Sequence, residues 1–321
     1  MTCIINCLPL NDDEREAFRE AAGDVRQEFV GDLSARRNIS WSAEVPEDLR
    51  EETTAVIGNA PVEQLAECPK LQWLQTFSAG VDSYLKPGAL AQDVQVTSAS
   101  GAYGHAVAEH MFAMTLALLK DLPLYRDQQH DQRWKPSGHV GTLDGANVAI
   151  LGTGDIGAHY ARLCRACGSR TIGVRRNAAV AVDGIDDMHS FEELDAVLRV
   201  ADVVALALPS TPETRHIINT ERMRLMPNNA MVINAGRGDA IDCDALADAL
   251  KGGDISCAGL DVTDPEPLPS EHPLWGESRC LITPHIAGGT HLKSTADRII
   301  AIALDNVRNY VSGQALSNRM R

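Results

Sequence analysis

Three short stretches in the later part of the chain carry residue types that could handle a small organic anion and a proton. MVINAGRGDAID sets Arg237 between two glycines directly after an apolar run. AGLDVTDPEPLP follows the next apolar run with Asp261 and Glu266, and LITPHIAGGT places His285 after a third, beside Pro284 and just before a glycine pair. A guanidinium can hold a planar carboxylate by two parallel hydrogen bonds and steady negative charge on a neighbouring oxygen. An imidazole gives and takes a proton near neutral pH, and a nearby carboxylate favours its charged form. Taken singly, each residue reads more simply as a turn arginine, a loop glutamate or a helix-start histidine. The set becomes informative when all three fall in order behind the stretch described next.

That stretch is NVAILGTGDIG, Asn147 to Gly157. Val148 to Leu151 is a short apolar run of the kind buried on both faces of a sheet. Gly152-Thr153-Gly154-Asp155-Ile156-Gly157 follows at once, and AHYARLCRACG supplies a helix stopped at Gly168. Strand, Gly-x-Gly-x-x-Gly and helix form the dinucleotide fingerprint. The first glycine makes the turn, the second lets backbone approach a pyrophosphate, and the third lets the helix pack close with its amides aimed at the phosphates. Ligands of such a sheet gather at the carboxyl ends of its strands, where Arg237, Glu266 and His285 fall. An NAD-binding fingerprint also asks for a carboxylate about 20 residues on. Here the second strand, RTIGV, ends instead in Arg175-Arg176-Asn177. Two guanidiniums suit a 2′-phosphate, so NADP is favoured. A solvated pair, or an arginine stacked on adenine in an NAD enzyme, stays open.

The elements that must position these groups alternate. Strands at 170–174, 203–208, 231–234, 256–260 and 281–283, with helices such as 191–200 and 243–250 between them, predict a parallel sheet with right-handed crossovers. Residues 1–100 read as a smaller α/β unit, with strands at 3–8, 55–57, 71–77 and 94–97 and helices at 12–22 and 61–66. A final amphipathic helix over 292–310 is expected to return the chain to it. The expected division is therefore 1–100 plus 291–321, and 101–290. A helix over 101–119 is apolar on much of its surface, which calls for cover by another domain or subunit. It carries His105, Glu109 and His110, but HAVAEH lacks metalloprotease spacing and no metal site is expected. Residues 125–145 read as a polar connector carrying Trp134.

Composition narrows the partners. At 321 residues, two domains are the natural expectation. A formal charge of −15 argues against nucleic acid or an anionic membrane, both of which need positive surface. Apolar runs such as VVALALP are too short to span a bilayer. The first residues lack a basic, apolar leader, so eight cysteines read as reduced thiols in the cytoplasm. Cys164-x-x-Cys167 has no second pair at matching spacing.

The sequence resembles the D-isomer-specific 2-hydroxyacid dehydrogenases, which include glyoxylate/hydroxypyruvate reductases and D-lactate dehydrogenases. The resemblance covers essentially the whole chain and is most specific in LGTGDIG, LALPSTPETRHIIN, INAGRGDAID, GLDVTDPEPLPSEHPLW and TPHIAGGT. It implies two doubly wound parallel-sheet domains, Rossmann-like and flavodoxin-like, with a hinged cleft between them. By the same resemblance Arg237 binds the substrate carboxylate and carbonyl, His285 is the acid/base, and Glu266 is its carboxylate partner. Ala79 and Gly80 would offer backbone amides to the substrate carboxylate. Asp261 would face the nicotinamide, and Pro209, Thr214, Ala235 and Gly288 fall on cofactor-contact positions. The linking helix and connector would form a homodimer contact. Glutamate rather than glutamine at 266 points away from formate oxidation.

The expected activity is reduction of a small 2-keto acid to the D-2-hydroxy acid. The alternatives are an NAD-dependent D-lactate or aromatic hydroxyacid dehydrogenase and, in another class, a dinucleotide-sensing co-repressor. Selectivity is expected from positions around Asn59, Ala60 and Tyr103, with Trp134 and Trp275 as candidate walls.

Overall fold

Short apolar runs alternating with helices fold into two parallel sheets, each within its own unit of the chain. The structure, a computed structural model, describes residues 2–137 and 140–321. One unit comprises Met1–Tyr103 with Gly288–Arg321, the other Gly104–Ala287. The division therefore falls after Tyr103 and after Ala287, which puts Gly288 in the first unit.

The first unit opens with β1 (Cys3–Asn6), α1 (Asp12–Ala22), β2 (Arg26–Phe29), β3 (Ala55–Ile57), α2 (Val62–Ala66), β4 (Trp73–Gln75), α3 (Asp82–Leu85) and β5 (Gln95–Thr97). Helix α1 starts on a capping box, in which Asn11 and Glu14 each accept the other's backbone N–H. The strands pair in parallel in the order β2-β1-β3-β4-β5. This is the flavodoxin-like order, whose switch point lies between β1 and β3.

The second unit runs through α4 (Gly104–Leu119), α5 (Leu122–His130), β6 (Asn147–Leu151), α6 (Asp155–Ala166), β7 (Arg170–Val174), β8 (Asp187–His189) and α7 (Leu194–Leu198). It continues through β9 (Val203–Leu206), α8 (Thr220–Met223), β10 (Met231–Asn234), α9 (Cys243–Gly252), β11 (Cys257–Leu260) and β12 (Cys280–Ile282). Its seven strands are all parallel, in the order β12-β11-β10-β9-β6-β7-β8. The order reverses between β6 and β9, so the loop after β6 opens at the Rossmann switch point. The chain ends with α10 (Lys293–Ser312) in the first unit, which packs on α1 with Ile299, Ala303 and Val307 buried.

Three differences from the sequence reading have physical causes. Strands β2 and β8 were not expected, because RQEF and DMH are edge strands, half exposed and without an apolar run. The polar connector begins instead as α5, with Pro123 in its first turn, where a missing N–H is harmless. Helix α4 is covered within its own unit by α6, β10 and β11. Thr115 and Tyr160 join hydroxyls at 2.8 Å across the α4–α6 contact, and Gly104 N donates to the Asp155 carboxylate at 2.9 Å. The apolar character of α4 therefore does not require a second subunit.

Candidate active site

The fingerprint turn has the shape its glycines call for. Gly152 sits at φ +92°, and a Cβ there would meet Ala207 O at 2.5 Å. A Cβ on Gly157 would meet Gly152 O at 2.0 Å, so this glycine lets α6 close onto β6. On Gly154 a Cβ would meet nothing within 4 Å, which leaves its backbone open to a ligand. Asp155 and Ile156 begin α6, whose first amides face that opening. The Asp155 side chain is turned to α4 through its bond with Gly104 N. These residues fit a dinucleotide pyrophosphate.

The neighbouring strand ends complete the surroundings. Arg175, half-buried, and Arg176, exposed, follow β7 with no carboxylate between them and the strand. The carboxyl of Glu213 is held below the usual range first by its own backbone N–H, then by Thr211, with a smaller contribution from Arg176. After β9, the Thr214 hydroxyl donates to Pro209 O at 2.7 Å and accepts from Thr211 N at 2.9 Å, fixing that loop. Ala235 is buried directly after β10.

Arg237, Glu266 and His285 stand at three neighbouring strand ends, after β10, β11 and β12. Arg237 is held by its flanks. A Cβ on Gly238 would meet Thr263 O at 1.9 Å, and one on Gly236 would meet Leu208 N at 2.8 Å. Asn234, fully buried at the end of β10, accepts from Gly236 N at 3.0 Å and donates to Arg237 O at 2.9 Å. Sequence reasoning passed over Asn234, although an amide closing an otherwise apolar buried strand is a legible signal.

His285 Nδ1 lies 2.7 Å from Glu266 Oε1, and both side chains are about half exposed. With a carboxylate as partner, Nδ1 is the donor, which leaves Nε2 as the nitrogen that can exchange a proton. The backbone of His285 is left-handed, φ +52°. That conformation is uncommon outside glycine and needs support from its surroundings. The His285 N–H meets Asp261 O at 2.8 Å and Thr283 O at 3.1 Å. The Asp261 carboxylate, with only 2% of the residue exposed, accepts from Ile286 N at 2.9 Å, Ala287 N at 3.0 Å and Thr283 Oγ1 at 2.6 Å. Asp261 is thus directed at the His285 turn.

The first unit offers a different kind of strand end. After β4 the chain passes Phe77-Ser78-Ala79-Gly80-Val81, where Ala79 and Gly80 are part-exposed. Asn59 braces this turn, accepting from Phe77 N and donating to Ser78 Oγ, both at 2.9 Å. Ser78 Oγ donates to Gly80 O at 2.6 Å, and Tyr103 donates its hydroxyl to Phe77 O. Asn59 and Tyr103, around which selectivity is expected, both hold this backbone. Of the candidate walls, Trp275 donates to Pro269 O at 2.9 Å, and Trp134 is fully exposed.

Cys164 is buried, and burial pushes its thiol up to about 12, while Cys167 is exposed. Among the described residues no group of three or more His, Cys, Asp or Glu side chains is arranged to hold a metal ion. Nor is any helix among them long and apolar enough to cross a membrane.

A phosphate cradle at the switch point of a parallel sheet, with a histidine–carboxylate pair and an arginine at later strand ends, defines a nicotinamide-dinucleotide oxidoreductase. Comparison with known proteins narrows the class. The family profile "D-isomer specific 2-hydroxyacid dehydrogenase, NAD binding domain" matches residues 112–287. A glyoxylate reductase of Thermofilum pendens is 34% identical over 233 residues, 71% of this chain and 69% of that protein. The crystal structure of a D-isomer specific 2-hydroxyacid dehydrogenase family protein from Aeromonas salmonicida superposes with a TM-score of 0.83 at 30% identity, covering 100% of this chain and 99% of that one. A second, from Xanthobacter autotrophicus in complex with NADPH and MES, gives 0.80 at 28% identity over 99% of this chain and 98% of that one. The chain belongs to the D-isomer-specific 2-hydroxyacid dehydrogenase family, enzymes that act on a CH–OH group with a nicotinamide cofactor.

Proposed function

We propose that the enzyme reduces a small 2-keto acid of the glyoxylate or hydroxypyruvate kind to the D-2-hydroxy acid, using NADPH. The observation that carries this reading is the 2.7 Å contact between His285 Nδ1 and Glu266 Oε1 at strand ends beside Arg237. The bound dinucleotide supplies the hydride for the carbonyl carbon. His285 Nε2 delivers the proton the carbonyl oxygen then needs, and Glu266 holds the ring by its contact with Nδ1. Arg237 holds the substrate carboxylate and steadies the charge developing on that oxygen. Backbone amides of Ala79 and Gly80 also bind the substrate carboxylate.

For the dinucleotide, Gly152, Gly154 and Gly157 with the amides of Asp155 and Ile156 hold the pyrophosphate. Pro209, Thr214, Ala235 and Gly288 line its path, and Asp261 keeps the catalytic turn against the nicotinamide. Arg175 and Arg176 take the 2′-phosphate. The NADPH-bound relative and the relative named a glyoxylate reductase support this choice of cofactor and substrate class. Initial rates for a panel of 2-keto acids, each with NADPH and NADH, test it. Glyoxylate or hydroxypyruvate with NADPH should lead, and a panel without turnover would overturn the reading.

The enzyme works as a cytoplasmic homodimer. Leu122, Leu124, Trp134 and Val140 are all exposed around α5 and the segment after it, and this replaces α4 as the reason for a partner copy. Eight free cysteines suit a reducing compartment. A monomer in sedimentation at micromolar concentration would contradict the dimer.

A further inference from the structure

His110 projects from α4 toward the strand ends of the second unit, and nothing in the proposed chemistry uses it. Its Nε2 lies 2.9 Å from Thr283 Oγ1 and 3.6 Å from Asp261 Oδ1, with the side chain 23% exposed. We propose that His110 is a positioning residue for the acid/base histidine, acting through Thr283 and Asp261. The inference rests on the reading of His285 as that histidine.

Proton accounting fixes the direction of the chain. Thr283 has one hydroxyl proton, and the 2.6 Å contact gives it to Asp261 Oδ1. Thr283 Oγ1 is then the acceptor toward His110, so His110 Nε2 carries a proton. Asp261 Oδ1 also accepts from Ile286 N, and Oδ2 from Ala287 N. These are the two amides directly after His285, whose own N–H is held by Asp261 O and Thr283 O. The left-handed residue is thus clamped on both sides by Asp261 and Thr283, and His110 orients the Thr283 hydroxyl that serves the clamp.

Without the His110 proton, the Thr283 hydroxyl is free to rotate away from Asp261. A nearly inaccessible carboxylate then loses a donor, and the two amides that fix the His285 turn lose their rigid acceptor. A ring displaced by a fraction of an ångström still lets substrate and dinucleotide bind but delivers its proton poorly. The loss should therefore appear in turnover and not in ground-state binding.

The test measures kcat and KM for glyoxylate and hydroxypyruvate with NADPH, and the NADPH Kd by cofactor fluorescence, in Thr283→Val, Thr283→Ser, His110→Phe and the Val/Phe double variant. His285→Ala serves as reference. Thr283→Val and His110→Phe should each lower kcat about 10- to 100-fold, the loss expected when a buried acceptor is left unserved. KM and the NADPH Kd should stay within about threefold. Thr283→Ser should restore kcat, and the double variant should be no worse than the poorer single, because both break one chain.

The proposal is overturned if Thr283→Val and His110→Phe retain wild-type kcat while His285→Ala is inactive. It is equally overturned if Thr283→Ser is as impaired as Thr283→Val, or if KM and NADPH Kd worsen as much as kcat, since either marks simple packing. Turnover surviving in His285→Ala would instead remove the acid/base reading beneath it.

Discussion

The two sheets present their chemistry in opposite ways. At the end of β4, side chains serve the backbone. Asn59, Ser78 and Tyr103 all hydrogen-bond to main-chain or turn atoms of residues 77–80, and the functional groups left are amides. At the ends of β10 to β12, buried groups serve side chains. Asn234 fixes the segment carrying Arg237, and Asp261 fixes the turn carrying His285. Under the proposed function, the difference follows from the tasks. Amides hold an anion without changing charge, whereas proton delivery needs a group that titrates. Binding and turnover should therefore fail separately when the two regions are damaged.

The largest effect is expected at the side-chain end. His285→Ala should lower kcat in both directions by about 10²- to 10⁴-fold, as for loss of a general acid/base. The NADPH Kd should change little, as cofactor fluorescence would show. A comparable loss of cofactor binding would mean that His285 holds the cofactor and does not move the proton.

Next in size is the cofactor choice. Arg175→Ala should weaken NADPH use by about 10- to 100-fold, through loss of a charge-assisted bond to phosphate, and leave NADH use nearly unchanged. Arg176→Ala should do less, because Arg176 is exposed and already near Glu213. Equal specificity constants for the two cofactors in the wild type would remove the basis for this prediction.

The smallest effect belongs to the backbone end. Asn59→Ala removes the bonds to Phe77 N and Ser78 Oγ. It should raise KM for the keto acid by up to about tenfold, one hydrogen bond's worth, with kcat nearly intact. A fall in kcat with KM unchanged would show that the two regions do not divide the work as proposed.

Legibility in the sequence followed the range of the constraint. The cradle was readable because each glycine answers to a neighbour a few residues away, as Gly157 does to Gly152 O. The central strands were readable because burial on both faces leaves an apolar run, as in NVAIL and MVIN. Edge strands β2 and β8 were not, since half-exposed strands need no such run. The reach of His110 to Thr283 across 173 residues was invisible, and His110 itself was weighed only for metal spacing. Asn59 was singled out for selectivity, and its hold on the turn after β4 was invisible, because only coordinates show its amide against Phe77 N and Ser78 Oγ.

The central claim is that Glu266 holds the His285 ring for proton delivery through the 2.7 Å contact at Nδ1, and comparing Glu266→Ala with Glu266→Gln tests it most directly. Glutamine keeps an acceptor oxygen for Nδ1, whereas alanine leaves the ring unheld. Deuterated cofactor, through its isotope effect, shows whether hydride transfer limits the rate. With that step limiting, Glu266→Ala should lower kcat by about 10²-fold, the loss expected of a misplaced reacting group. Glu266→Gln should lose clearly less, and KM and the NADPH Kd should stay within about threefold in both variants. Wild-type kcat in Glu266→Ala would contradict the pairing.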